Sequence, residues 1–295
     1  MEIGRNSNSK QKWREWHKEM EMVNFEDRKA MPIPQKPLPK KIIGFKRINI
    51  LYIDRKVITF LRHFRQIFAT RPINLTIITH NDCILEFILH NIWPLLGENI
   101  HGLQLSAVIF HHFRQFAPSI LNDYPSLRIF SIYYNYFYTK FPADDSAMAL
   151  DGQAVAKWLF TPLQNNVPKM FNCCLHNNDL NLSSKIEAFK AAFASASSPV
   201  NFIIMFWFLR SNSVVPFDLT NELTQEQMVF KMTNYRLLLV RCPIARDESK
   251  WTKWEEEAIG CEIEELWNKI DIQIYSPSDQ QLKRMNEMLR SDRSI

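Results

Sequence analysis

Histidines that could bind a metal ion are concentrated in one third of the 295-residue chain. Paired imidazoles bind zinc when they share one helix face, as in the spacings H-x-x-x-H and H-E-x-x-H. Neither spacing occurs among the six histidines concerned, which fall on different predicted elements: His63, His80, His90, His101, His111 and His112. We therefore predict core or surface histidines and no metal site.

One cysteine pair offers thiolate chemistry beside a histidine. Cys173 and Cys174 are adjacent, and His176 follows two positions later. Adjacent side chains on a strand point to opposite faces of the sheet, and zinc sites usually separate paired cysteines by two to four residues. We expect one buried and one exposed cysteine, without a ligand set.

Two acidic groups could supply general acids, Asp144 with Asp145 and the run Glu255–Glu257. Neither lies close in sequence to a histidine or to a glycine turn that would shape a pocket. The glutamates are expected to form the solvated face of a helix, near its N-terminus, where negative charge is favourable. We predict no catalytic residue and no cofactor. A deep pocket lined by His111, Cys173 or Asp145 would revive an enzyme interpretation.

A tyrosine-rich segment is a candidate contact surface for another protein. Rigid tyrosine rings give a large contact area at low entropic cost. The segment follows a predicted strand, and its candidate residues are Tyr133, Tyr134, Tyr136 and Tyr138. The alternative is that half of these rings are buried under the connection that follows.

Four polar residues are predicted to form a ladder across an exposed sheet face. Each stands between two apolar residues at the centre of a predicted strand: Asn49, Thr76, Gln104 and Arg128. If the strands are stacked in register, these side chains line up on the face that repeat proteins use to bind partners. The alternative is a solvated sheet surface with no partner.

A recurring strand–helix pattern must position this ladder. The strand centres begin at Ile48, Leu75, Leu103 and Leu127, which are 27, 28 and 24 residues apart. The helices between them are predicted over three segments: Arg55–Phe68, Asn81–Leu96 and Ala107–Asn122. In the first helix one apolar face is evident from Val57, Phe60, Leu61, Phe64 and Phe68. These spacings predict an α/β fold with a leucine-rich-repeat-like solenoid and a parallel sheet, with a plain α/β sheet as the alternative.

The chain changes character near residue 210. Val214–Leu219, Met228–Met232 and Leu237–Val240 predict an antiparallel β-meander. A long helix is predicted over Asp247–Asn268, followed by an edge strand at Lys269–Tyr275. The predicted organisation is a polar, helical lead-in at 1–30 anchored by Trp13 and Trp16, a repeat domain at 31–210, a meander and helix at 211–276, and a polar tail at 277–295.

Composition excludes several classes of protein. The net charge of +5 is spread along the chain, whereas nucleic-acid binders concentrate positive charge on one face. Only six glycines are present and none are clustered, so no phosphate-binding loop is evident. No apolar run approaches the ~18 residues that suggest a membrane span. Five irregularly spaced cysteines favour a reducing, intracellular environment, in the cytoplasm or the nucleus.

Nine strings of sequence match one protein family: MPIPQKPLPKKIIGFKRI (Met31–Ile48), IWPLL (Ile92–Leu96), RQFAPSIL (Arg114–Leu121), FPADD (Phe141–Asp145), QAVAKWLFTP (Gln153–Pro162), PVNFII (Pro199–Ile204), VVPFDLTNELT (Val214–Thr224), LLLVRCPIARDESKWTKWEEEAI (Leu237–Ile259) and WNKIDI (Trp267–Ile272). Together they resemble the expanded nematode F-box protein family of plant-parasitic worms. The resemblance covers residues 25–276.

The resemblance implies a non-enzymatic module that recognises a protein target for a cullin–RING ubiquitin ligase. Family members carry an N-terminal F-box that docks on a Skp-type adaptor, and no such motif precedes Trp13. Binding to the adaptor and cullin is therefore expected only if an upstream F-box exists. The alternative is a free-standing protein that binds its target as a decoy.

Overall fold

The structure is a computed structural model that describes residues 2–4, 21–23, 30–32, 44–96, 99–133, 139–175, 182–208, 215–233, 236–260 and 268–275, with isolated positions at 283, 285 and 287. Contacts divide the chain into two compact units. Unit 1 comprises Met1–Ile100 and Ile263–Ile295, and unit 2 comprises His101–Glu262.

Helices alternate with mostly parallel strands, which confirms the predicted α/β class. The described strands are β1 (Glu2–Gly4), β2 (Glu21–Val23), β3 (Ala30–Pro32), β4 (Arg47–Ile50), β5 (Ile73–Thr79), β6 (Ile100–Ser106), β7 (Ile129–Tyr133), β8 (Lys169–Leu175), β9 (Phe202–Phe208), β10 (Phe217–Asn221), β11 (Glu226–Thr233), β12 (Arg236–Pro243) and β13 (Lys269–Ile274). The described helices are α1 (Arg55–Thr70), α2 (Asp82–Phe87), α3 (Trp93–Leu96), α4 (Ala107–Phe116), α5 (Asp151–Leu159), α6 (Leu182–Ala194) and α7 (Glu248–Gly260), with a π-helical turn at Ile88–Ile92.

The sheet of unit 1 has the strand order β5-β13-β4-β1-β2-β3. Strand β13 pairs in parallel with both β4 and β5, so that Ile270 lies between Ile48 and Leu75. The predicted stacking of Ile48 beside Leu75 is therefore wrong, and so is the predicted edge position of Lys269–Tyr275. A simple succession of strand–helix repeats does not describe this unit.

Charge neutralisation explains how a polar strand becomes an interior one. Asp271 is buried on β13, and its carboxylate lies 2.8 Å from Arg47 Nε and 3.1 Å from Lys269 Nζ. A buried carboxylate is tolerated when cations and hydrogen-bond donors satisfy it. The alternation of polar and apolar residues had predicted a sheet edge, whereas Lys269 and Asp271 are buried and Arg47 is partly exposed.

Helix α1 buries an apolar face in the core of unit 1. Asp54 caps its N-terminus, because Oδ1 accepts hydrogen bonds from Lys56 N (2.7 Å) and Val57 N (3.0 Å). The predicted apolar face is confirmed, since all five of its members are buried: Val57, Phe60, Leu61, Phe64 and Phe68. The sequence had predicted a helical lead-in at 1–30, but β1 and β2 are strands; Trp13 and Trp16 lie outside the described residues.

The sheet of unit 2 changes from parallel to antiparallel pairing. Strands β6, β7, β8 and β9 are parallel neighbours, while β9, β12, β11 and β10 pair antiparallel. The sequence had placed Leu127 on the strand beside Leu103, but Leu127 lies two residues before β7 begins. Leu103 pairs with Phe130 instead. Strands on both sides of residue 210 therefore belong to one sheet, although the division of the chain at residues 30, 210 and 276 stays a prediction.

Helices cover both faces of this sheet. Phe217 of β10 lies under Lys190 of α6, with Nζ 4.5 Å from the ring centre, and it stacks on Phe230 of β11. The next residue, Lys231, points to the opposite face and bonds Glu255 of α7 at 2.6 Å. Helices α6 and α7 therefore lie on opposite faces.

Candidate functional site

The predicted polar ladder is not exposed. Thr76 on β5 has 1% of its surface accessible and Gln104 on β6 has 7%, because both faces of a largely parallel sheet are covered. Asn49 on β4 is half-buried and faces Asp271, which itself pairs with Thr76. Within unit 1 the polar side chains do align, but through β13, and an exposed docking face is not formed at Thr76 or Gln104.

In unit 2 the row that contains Gln104 continues on the α7 side of the sheet. The register joins Gln104 to Ser131, Asn172, Met205, Leu238 and Lys231. Ser131 and Asn172 are buried as Gln104 is. This row lies on the sheet face that α7 covers, so its polar groups belong to the interior of the unit.

Arg128, the fourth ladder residue, holds α7 in place. Its Nη1 and Nη2 donate to the two carboxylate oxygens of Glu257 at 2.8 and 2.9 Å, and Nε donates to Pro168 O at 3.2 Å. His101 lies beside this pair. Burial lowers the pKa of His101, and the positive charge of Arg128 lowers it further, whereas the Glu257 carboxylate acts in the opposite direction.

The predicted tyrosine surface lies mostly outside the described residues. Tyr133 ends β7, and Tyr134, Tyr136 and Tyr138 fall in the gap after it. Their role as contact residues stays a prediction.

The acidic groups weighed for catalysis make local structural contacts. Asp144 accepts hydrogen bonds from the backbone and hydroxyl of Ser146, which lower the pKa of Asp144, and Asp145 accepts one from Asn122 at 2.7 Å. The expected solvated face of Glu255–Glu257 is wrong for Glu255 and Glu257, because both pair with cations of the sheet. Only Glu256 of the three is exposed.

The cysteines and histidines do not form a ligand cluster in the part of the chain that the structure describes, where no three His, Cys, Asp or Glu side chains are grouped to hold a metal ion. Cys173 is buried on β8, and His176 lies outside the described residues. Among the described helices, none has the length and apolar character needed to cross a membrane.

A charged cluster between α4 and α5 does bring predicted and unpredicted residues together. His111 Nδ1 lies 2.9 Å from Asp151 Oδ2, and Arg114 Nη1 donates to Asp151 Oδ1 at 2.9 Å. Gln115 Nε2 lies 3.3 Å from His111 Nε2. An amide nitrogen can only donate, so Nε2 accepts and the ring proton lies on Nδ1. The imidazole is thereby held in one tautomer and one orientation.

Arg114 also joins α4 to the segment before α5. Its guanidinium donates to Ser146 O (2.9 Å), Ala149 O (2.8 Å) and Pro118 O (3.1 Å). Arg114 and Asp151 are both buried, whereas most of the His111 side chain is exposed. A buried ion pair thus fixes the orientation of an exposed ring.

Four apolar side chains of α4 and of the segment before α5 are exposed, and together with His111 we name them the α4 surface: Val108, His111, Phe116, Met148 and Leu150. Val108 and His111 are three positions apart on α4, as neighbours on one helix face are. Met148 is 93% exposed, and Leu150 precedes Asp151 directly. Sequence reasoning had noted His111 only as a core or surface histidine and had missed Arg114 and Asp151. The one local signal in the sequence for this cluster was Asp151, an acidic residue in the first turn of α5.

Comparison of the chain with family profiles, with curated proteins and with solved structures found no match in any of the three.

Proposed function

We propose that this chain is a protein-interaction module, of the kind that recognises the target in an F-box subunit of a cullin–RING ubiquitin ligase. Two things support the proposal. The first is the resemblance carried by the strings in the sequence, of which Leu237–Ile259 is the longest. The second, which carries the proposal structurally, is the α4 surface, where a fixed imidazole and four apolar side chains are exposed.

Rigidity makes the α4 surface suited to binding. Ordering a mobile side chain costs about 0.5–1.5 kcal/mol on association. The hydrogen bond from His111 to Asp151, and the ion pair of Asp151 with Arg114, remove part of that cost in advance. A partner would meet His111 already in its bound orientation.

Apolar area supplies the driving force. Val108, Phe116, Met148 and Leu150 are more than half exposed, and removing such surface from water favours association by about 25 cal/mol per Å² before the costs of binding. The partner that fits is a protein surface with apolar side chains that pack on these four residues beside the exposed imidazole of His111. Under this proposal the chain works inside the cell, in the cytoplasm or the nucleus.

Matched charge variants test the proposal. The α4-surface variant carries Val108→Glu and Met148→Glu, and the control carries Leu51→Glu, which alters an exposed leucine of unit 1. Each chain is expressed with an affinity tag in the source cells, cross-linked and purified, and the recovered proteins are compared by quantitative mass spectrometry. We expect a defined set of proteins to be lost from the α4-surface variant alone. Identical sets from all three chains would overturn the proposal.

Recovery of a Skp-type adaptor separates the ligase role from the decoy alternative. Adaptor and cullin recovered with the wild-type chain, together with ubiquitination of a protein that the α4-surface variant loses, would establish delivery to the ligase. Recovery of the target without adaptor and without ubiquitination would favour the free-standing protein.

A further inference from the structure

Strand β10 lies at the end of the strand order in unit 2. Its inner edge pairs with β11, from Phe217 opposite Phe230 to Asn221 opposite Glu226. Across the described ranges no strand pairs with its outer edge. The backbone N–H and C=O groups of an open edge are a template for another strand.

Exposed apolar residues stand near both ends of β10, and Leu223 among them lies in the turn that leads into β11. Val215 and Leu223 are 79% and 76% exposed, and they lie four positions before and four positions after Leu219. Met232 is also exposed, and it follows Phe230 by two residues just as Val215 precedes Phe217 by two. Val215 and Met232 therefore mark one end of the hairpin, and Leu223 marks the other.

We infer that a second copy of this chain pairs antiparallel with β10 about a two-fold axis at Leu219. Positions equally distant from Leu219 then meet, so Asp218 faces Thr220 of the second copy. Leu223 of the second copy approaches Val215 and Met232, and the symmetry repeats this apolar contact at the other end. A contact in which one patch meets itself closes after two copies and forms a dimer.

Charge selects this register among its neighbours. A two-fold axis between antiparallel strands must pass through a residue, because side chains that face each other lie on the same side of the sheet. An axis at Asp218 would place Asp218 opposite itself, and an axis at Thr220 would place Asp218 opposite Glu222. Like charges directly opposite each other are unfavourable. The axis at Leu219 avoids both contacts, which favours a second copy in this register.

Opposite charge changes at Thr220 test the register, because the residue is exposed. Thr220→Lys places an amine opposite Asp218 twice in each dimer, and Thr220→Asp places a carboxylate there. Sedimentation equilibrium of the full chain should show a dimer that tightens about fivefold with the first change and weakens about fivefold with the second. The pair Asp218→Lys with Thr220→Asp again places an amine opposite a carboxylate and should tighten the dimer as Thr220→Lys does.

The same charge changes at exposed Thr252 of α7 are the control and should leave the dimer unchanged. Circular dichroism establishes that each variant is folded. A wild-type chain and a Thr220→Lys chain that both stay monomeric would overturn the inference. So would a dimer that responds equally to both charges at Thr220, even if β10 then bound an extended peptide of another protein.

Discussion

Asn268 and Phe45 exchange two hydrogen bonds at the start of the strand that completes unit 1. Phe45 N donates to Asn268 Oδ1 at 3.0 Å, and Asn268 N donates to Phe45 O at 2.8 Å. Asn268 O also accepts from Asn74 N at 3.2 Å, so one residue links the approaches to β4 and β5. Its φ is 55°, in the left-handed region. Gly44 leaves room for the amide, because a Cβ there would lie 2.9 Å from Asn268 Oδ1.

Replacing Asn268 should separate the contribution of its side chain from that of its backbone conformation. Asn268→Gly keeps the left-handed φ but removes the acceptor for Phe45 N, which should lower the free energy of unfolding by about 1–3 kcal/mol. Asn268→Ala loses the same bond and adds about 1 kcal/mol of backbone strain. Urea unfolding measures both, and an alanine variant as stable as the glycine variant would contradict this account.

The buried pair of Arg241 with Glu226 should be sensitive to the loss of one partner. Arg241 Nη2 lies 2.6 Å from Glu226 Oε2, while Val200 N donates to Oε1 at 2.8 Å. Arg241→Met leaves an unpaired carboxylate in the interior, so the free energy of unfolding should fall by about 3–5 kcal/mol. The double variant Glu226→Leu with Arg241→Met should be more stable than Arg241→Met alone. A double variant that is less stable by the sum of both single losses would show that the charges are not coupled.

Lys169 should make stability rise with pH. Burial lowers the pKa of Lys169 from its ordinary value of 10.5 to about 7. Between these values the unfolded chain binds more protons than the folded chain, so the free energy of unfolding increases with pH, by at most about 1.4 kcal/mol per pH unit. Below pH ~7 the charged amine opposes folding fully, and above the ordinary pKa the effect is gone.

Lys169→Met should remove that dependence. Lys169→Met should exceed the wild type in free energy of unfolding by the largest amount at about pH 6. The difference should shrink towards about pH 9. Lys157→Met, at an exposed position of α5, is the control and should run parallel to wild type. A constant difference between Lys169→Met and wild type across this range would show that the folded amine keeps its ordinary pKa.

Arg128 should control the titration of His101. Arg128→Met removes a positive charge and leaves the Glu257 carboxylate, which raises the pKa of His101. Losing the Arg128 charge removes an effect that lowers the pKa of His101, while the effect of Glu257 that raises it remains. The imidazole should therefore titrate at higher pH, as followed by the NMR shifts of its ring carbons. Arg62→Met, on the exposed side of α1, is the matched control. An unchanged titration of His101 would mean that burial alone sets its pKa.

Local signals were sufficient to predict where two of the helices begin, although α4 ends at Phe116 and not at the predicted Asn122. Helix α1 was predicted to begin at Arg55, as it does, and α4 at Ala107. Asp54 and Ser106 cap these helices with their own side chains, and the apolar spacing follows the helical period. Strand β8 likewise spans its predicted residues, Lys169–Leu175. Each of these features depends on residues close together in the chain.

The order of the strands depends on distant residues. Lys269 and Asp271 have the composition of a solvated edge, yet they lie on an interior strand, where Asp271 contacts Arg47, more than 200 positions away. The cluster of His111, Arg114 and Asp151 has the same cause, because a long connection without a periodic pattern brings α5 to α4. Neither alternation nor spacing encodes such encounters.

The place of β13 also has a consequence for synthesis of the protein on the ribosome. Strands β4 and β5 emerge early, but the segment that fills the space between them is translated roughly two hundred residues later. During that interval β4 and β5 lack the strand with which both of them pair. The pairing of β4 and β5 with their shared neighbour can therefore form only after that segment has been made.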